Sequence, residues 1–102
     1  MVKKYLTKLE IIEMFEVEER FLLDLEDEDI LCPVVRKGRK ERVYPLGEVE
    51  KLRLAKILVE EMDVNLPGVD IILRMRRDMF DMRRQFDAIL ADLADKLKQE
   101  LK

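Results

Sequence analysis

Between Val17 and Leu31 the sequence reads VEERFLLDLEDEDIL, with seven acids (Glu18, Glu19, Asp24, Glu26, Asp27, Glu28 and Asp29) against one base, Arg20. Residues 36–42, RKGRKER, then hold five bases (Arg36, Lys37, Arg39, Lys40 and Arg42) against one acid. Crowded carboxylates can hold a cation or meet a basic protein surface, whereas crowded guanidinium and ammonium groups suit phosphate. Recognition by charge, of both signs, is thus the chemistry the residue types offer.

Most other chemistry is excluded by what the chain lacks. It has no His, no Ser and no Trp, and Thr7 is its only hydroxyl residue besides two tyrosines. Ser-His-Asp, Cys-His and His-based zinc sites therefore cannot be built. Gly38, Gly47 and Gly68 stand apart, so there is no Gly-rich phosphate loop. The acidic run lacks the glycine and ordered oxygen ligands of a calcium loop. No enzyme activity, cofactor or metal is expected. Cys32 is the single cysteine, which rules out an internal disulfide, and it is expected to be a small buried hydrophobe.

At 102 residues the chain is one small domain with room for a protruding element. Charged residues make up 42% of it yet nearly cancel, to a net charge of −3, which fits a folded soluble protein better than a disordered one. No apolar run approaches the roughly 18 residues of a membrane span, and the lysines of MVKKYLTKLEII precede no apolar signal segment. A cytoplasmic location is expected.

The elements that must carry these charges are mostly helical. Thr7 and Glu10 make a capping-box pattern opening a first helix, with Leu9, Ile12, Met14 and Phe15 as its expected apolar face. A second helix is expected from about Glu18 to Glu26. At about 100° per residue, Phe21, Leu22 and Leu25 gather on one side, and Arg20, Leu23, Asp24 and Asp27 on the other. CPVVRKGRKERVYP reads as a β-hairpin with Gly38 at its tip and Pro33 and Pro45 at its ends. A third helix is expected over 46–62, with Leu46, Val49, Leu52, Ile57, Val59 and Met62 among its apolar positions.

VNLPG breaks the chain, and Asn65 then caps a new helix with Pro67 in its first turn. Along it Ile72, Met75, Met79, Met82, Phe86, Ile89 and Leu93 recur at alternating steps of three and four residues. That is an a/d seam. Leu97 and Leu101 extend it with a change of phase, and the segment is either one helix or two broken near 76–82. A seam this long has too little domain beside it to be buried within one chain, so a homodimer is expected. The division is then a winged helix-turn-helix-like domain over 1–62 and a C-terminal coiled-coil dimerisation region over 63–102.

This order of elements resembles the MerR family of winged helix-turn-helix regulators: a mainly α fold with a small β-hairpin wing and a C-terminal dimerisation helix. ERVYPLGEVEKLRLAKIL is similar to the family's segment after the wing, where Arg-x-Tyr precedes an acidic residue, Val and a Leu-rich helix. EEMDVNLPGVDIILRM resembles the Gly-Val-Asn-Leu-x-Gly-Val signature of two subgroups, HspR-type heat-shock repressors and CbpM-type chaperone modulators. Val64, Asn65, Leu66, Gly68 and Val69 match it, and Asp63 stands where the first Gly usually does. The resemblance implies either of two functions. One is inhibition of the J-domain of a CbpA/DnaJ-like co-chaperone; the other is operator binding as a DNA-binding transcriptional regulator. It also implies antiparallel pairing of the C-terminal helices.

The second helix separates these two readings. The resemblance to the MerR family implies a recognition helix that carries Arg and Tyr toward the groove, whereas residues 16–29 hold eight acids and one base. Two like charges about 4 Å apart repel by roughly 1 kcal/mol even in bulk water. Several acids facing phosphates would oppose docking by several kcal/mol. The basic helix of a J-domain would instead be attracted. The partner-binding residues expected on this helix are Glu19, Leu23, Asp24, Glu26 and Asp27. The basic wing (Arg36, Lys37, Arg39, Lys40 and Arg42) is either a DNA-backbone contact, weak and indifferent to sequence, or a solvated hairpin tip.

Overall fold

The computed structural model describes residues 4–101. Thr7 turns the chain from strand into helix: it ends β1 (Tyr5–Thr7) and caps α1 (Lys8–Phe15). Its Oγ1 accepts from the Glu10 N–H at 3.2 Å, and Glu10 Oε1 accepts from the Thr7 N–H at 3.1 Å. This is the capping box expected from the sequence. The apolar face of α1 differs from expectation. Ile11 is its buried residue, flanked by half-buried Ile12 and Phe15, while Leu9 and Met14 are exposed. A helix of two turns buries one stripe, and Ile11, Ile12 and Phe15 lie within about 100° of each other.

α1 stops where Glu16 adopts a left-handed φ of 52°, and the Lys56 ammonium donates to the freed Phe15 carbonyl. After buried Val17 comes α2 (Glu19–Asp27), with Leu22 and Leu25 fully buried. Its end is a Schellman motif built on an aspartate. Asp29 takes φ 58°, its N–H bonds to Glu26 O at 3.0 Å, and the Ile30 N–H reaches Leu25 O at 2.9 Å. Ile30 and Leu31 then enter the core. Cys32 does not, contrary to expectation: it is exposed. The bend after α2 commits Ile30 and Leu31 to the core, and the Cys32 thiol instead donates back to the Asp29 carbonyl at 3.9 Å. The Cys32 N–H donates to Glu48 Oε1 at 2.8 Å.

The hairpin is β2 (Val34–Val35) and β3 (Arg42–Pro45), paired antiparallel with Val34 opposite Val43 and Val35 opposite Arg42. At its tip the Arg39 N–H bonds to Arg36 O at 3.1 Å, and Gly38 holds φ 83°. A side chain is disfavoured at that φ, so glycine suits the position. β1 pairs with the other edge of β3, giving the order β1-β3-β2. As the central strand, β3 is covered on both faces, and adjacent Val43 and Tyr44 are both buried.

α3 (Leu46–Glu60) buries Val49, Leu52 and Ala55, while Leu46 and Ile57 on its other sides are exposed. Met62 lies beyond its end and is exposed, so it leaves the expected apolar set. The Val64 N–H reaches back to Leu58 O at 2.9 Å, and Asp63 takes φ 54°. α4 (Leu66–Glu100) begins at once, capped by Asn65, whose Oδ1 accepts from the Gly68 N–H at 2.9 Å. A Cβ on Gly68 would stand 2.8 Å from a Val64 methyl carbon and 3.0 Å from the capping oxygen. Val69 is fully buried. The Asn-Leu-x-Gly-Val run is therefore a helix start: cap, close approach and core anchor in five residues.

Asp63, two residues before that run, is a strained position, since φ near +54° costs a non-glycine residue about 1–2 kcal/mol. Asp63→Gly is expected to raise stability by roughly 0.5–1 kcal/mol after the larger entropy loss of glycine is subtracted. A urea unfolding midpoint that falls or stays put would contradict this account of the turn.

Contacts divide the chain into two units, Met1–Asp70 and Ile71–Lys102. The boundary falls inside α4, which runs unbroken through residues 76–82. No helix among the described residues is long and apolar enough to cross a membrane.

Candidate interaction surfaces

α2 presents its charged side to solvent because Leu22 and Leu25 hold the opposite side in the core. Leu23 stands 39% exposed there. Around it Glu19 and Asp27 are exposed and Asp24 is half-exposed. Arg20 Nε lies 3.2 Å from Asp24 Oδ1, one helical turn away, so the single base of the segment is turned onto one of its own acids. Glu19 lies 3.4 Å from Lys8 Nζ. Exposed ion pairs of this kind contribute little to stability.

Glu26 is the exception among the expected partner-binding acids. Its side chain is only 13% exposed and turns inward against β3. The buried Tyr44 hydroxyl donates to its Oε1 at 3.4 Å, and Arg42 Nη1 stands 3.9 Å from the same oxygen. Oε2 is buried with no hydrogen-bond partner. Glu26 follows Leu22 by one helical turn, which puts it near the apolar face rather than the acidic one. It is a structural link between α2 and the wing strand, and it leaves the exposed acidic set. Burial first, and then the Glu26 carboxylate, push the Tyr44 phenol up to about 12.

On the wing, Arg36, Lys37, Arg39, Lys40 and Arg42 are all exposed. Arg36 is fixed at the wing root, its guanidinium 4.8 Å from the centre of the Tyr5 ring. Lys37, Arg39 and Lys40 form the cationic tip, while Arg36 and Arg42 stand at its base, a charge able to lie along a phosphate backbone. Among the described residues no cluster of three or more acids or cysteines is placed to hold a metal ion.

Every residue of the expected seam is exposed in the single chain. Ile72, Met75, Met79, Met82, Phe86, Ile89 and Leu93 range from 38 to 68%. Ile71, Leu90 and Leu97 add to the same apolar band, and Phe80 stands exposed away from it. An uncovered apolar face this long marks an interaction surface. The charges of α4 are also segregated. Residues 71–84 carry five arginines and two aspartates, whereas residues 85–95 carry three aspartates and no base.

Against models of known families, residues 6–93 match the one described as MerR HTH family regulatory protein. No curated protein and no solved structure gives a match.

Proposed function

Since that match spans most of its length, the chain belongs to the MerR helix-turn-helix family of regulatory proteins, and we propose that it regulates a protein rather than an operator. It acts as a non-enzymatic, cytoplasmic chaperone modulator that binds and inhibits the J-domain of a CbpA/DnaJ-like co-chaperone. The observation carrying this reading is the outward face of α2: Glu19, Asp24 and Asp27 surround half-exposed Leu23, and Arg20 is already paired with Asp24. A positive helix would be drawn to that face, and Leu23 would supply the apolar anchor at its centre.

Titration calorimetry against a purified J-domain with a basic helix tests it. A complex weakened by added salt is expected. Leu23→Ala should cost on the order of 1–2 kcal/mol, roughly a five- to thirtyfold loss, and Asp27→Lys about tenfold. Absence of heat at micromolar concentrations would refute the assignment.

A second reading, the DNA-binding MerR/HspR-type transcriptional regulator, is favoured by the five exposed bases of the wing. Backbone contacts give affinity but not choice of sequence. Mobility shifts with the protein's own promoter region should show only salt-sensitive binding indifferent to sequence. A tight shift that survives competitor DNA would establish the second reading over the first.

The working species in either case is a homodimer joined through the α4 seam. Antiparallel pairing sets the arginine-rich residues 71–84 of one copy beside the aspartate-bearing residues 85–95 of the other, whereas parallel pairing would stack like charges.

A further inference from the structure

Phe80 does not belong to the seam. At 100° per residue it lies roughly 130° round α4 from the seam's centre. It remains 48% exposed. Its four neighbours on the helix surface, at three and four residues either side, are Arg76, Arg77, Arg83 and Arg84. The Arg76 guanidinium packs over the ring, 4.7 Å from its centre. Arg84 is paired with Asp81, three residues before it, so the ring of four arginines carries a net of +3. An aromatic knob in such a ring has the make-up of an interface hot spot for an acidic surface with an apolar hole.

The same chain holds such a hole in its other unit. A cavity of about 280 Å³ opens where the α1–α2 turn meets the end of α3. Val17, Phe21 and Val59 supply its apolar lining, and Glu16, Glu18 and Glu60 supply three carboxylates with no base among the lining residues. Glu16 is held there by its left-handed backbone. Apolar hole matches apolar knob, and three acids match the net of +3 left on the arginine ring by the Arg84–Asp81 pair.

We propose that Phe80 and its arginines dock into the Glu16–Glu18–Glu60 cavity of a second copy of this chain, a contact separate from the α4 seam. It rests on the self-association reading above. The seam orders two helices side by side; this contact ties the helix of one copy to the globular unit of the other. It also gives the arginines an occupation other than nucleic acid.

Disulfide trapping in the full chain tests the contact. In a Cys32→Ser background, a copy carrying Phe80→Cys is mixed with a differently tagged copy carrying Val59→Cys and oxidised mildly. A covalent dimer containing both tags is expected. Trapping only when a Leu23→Cys copy replaces the Val59→Cys copy, or no trapping at all, would overturn the proposal. Charge reversal provides the second arm, read as the dimer dissociation constant from sedimentation. Glu16→Lys with Glu60→Lys should weaken association at least about tenfold, and adding Arg77→Glu with Arg84→Glu should recover most of that loss. An unchanged dimer after Glu16→Lys with Glu60→Lys refutes the cavity contact and leaves the seam standing. A wild-type protein that sediments as monomer refutes self-association and this contact together.

Discussion

Replacing Met79 and Phe86 by lysine is expected to convert the protein from dimer to monomer. Both residues are more than half exposed in the single chain, at successive a positions of the seam. Burying a Met or Phe side chain contributes roughly 2 kcal/mol, and each substitution occurs twice in a dimer. Four such losses amount to on the order of 8 kcal/mol, between five and six decades in dissociation constant. Lysines that bend their ammonium groups out to water would soften this. Even half the loss, roughly three decades, takes an ordinary nanomolar dimer to micromolar.

Sedimentation at low micromolar concentration reads the change directly. A second readout follows from helix energetics. An isolated helix whose apolar face finds no partner is marginal in water, so the monomer should also lose far-UV helical signal, and wild type should lose it on dilution. Ala88→Lys, on the side of α4 away from the seam, should leave both readouts unchanged. A double-lysine variant that remains dimeric would refute the seam.

The apolar stripe of α4 was legible in the sequence because its period repeats over three heptads, and the helix that carries it runs unbroken. The Thr7–Glu10 box and the Asn65 cap were legible for a similar reason, since each is a local pattern with a single geometry. β1 was not, because three residues are too few to show alternation and its pairing with β3 joins distant segments. The end of α2 was placed to within a residue, but its Schellman turn was not foreseen, because Asp29 occupies the left-handed position glycine would have announced. Glu26 was misplaced because the acidic run suggested one solvent-facing surface. Its spacing from Leu22 pointed inward, and there the helical period decided. The Tyr44 hydroxyl that meets it comes from another element, and no spacing in α2 could reveal that. The cavity behind Glu16 was equally hidden: its walls come from a turn, α2 and α3, which only the fold brings together.

That buried contact between α2 and β3 makes stability fall at alkaline pH. The Tyr44 phenol is fully buried and donates to Glu26 Oε1, so burial and the adjacent carboxylate both disfavour its ionised form. Its pKa rises from 10.0 to about 12 on folding. The stabilisation is therefore complete below pH 10, where both states hold the proton. Above pH 10 the unfolded chain releases it while the folded chain keeps it, so stability declines by about 1.4 kcal/mol per pH unit until the folded phenol ionises near 12. The full loss is about 3 kcal/mol, a large share of the 5–15 kcal/mol typical of a small domain. Lysines also discharge in this range, so the comparison must be with Tyr44→Phe. That variant should start about 1–3 kcal/mol less stable at neutral pH, because the buried Glu26 carboxylate loses its hydroxyl donor. Its further decline between pH 10 and 12 should be shallower by one proton. Tyr5→Phe leaves Tyr44 as the only phenol, whose phenolate absorbance should appear together with unfolding rather than before it. Glu26→Gln should lower that midpoint while leaving it above the ordinary tyrosine value, since burial remains. A Tyr44 that ionises near pH 10 in the folded protein would show that Glu26 and the core exert no hold on it, and the link from α2 to the wing strand would fail with it.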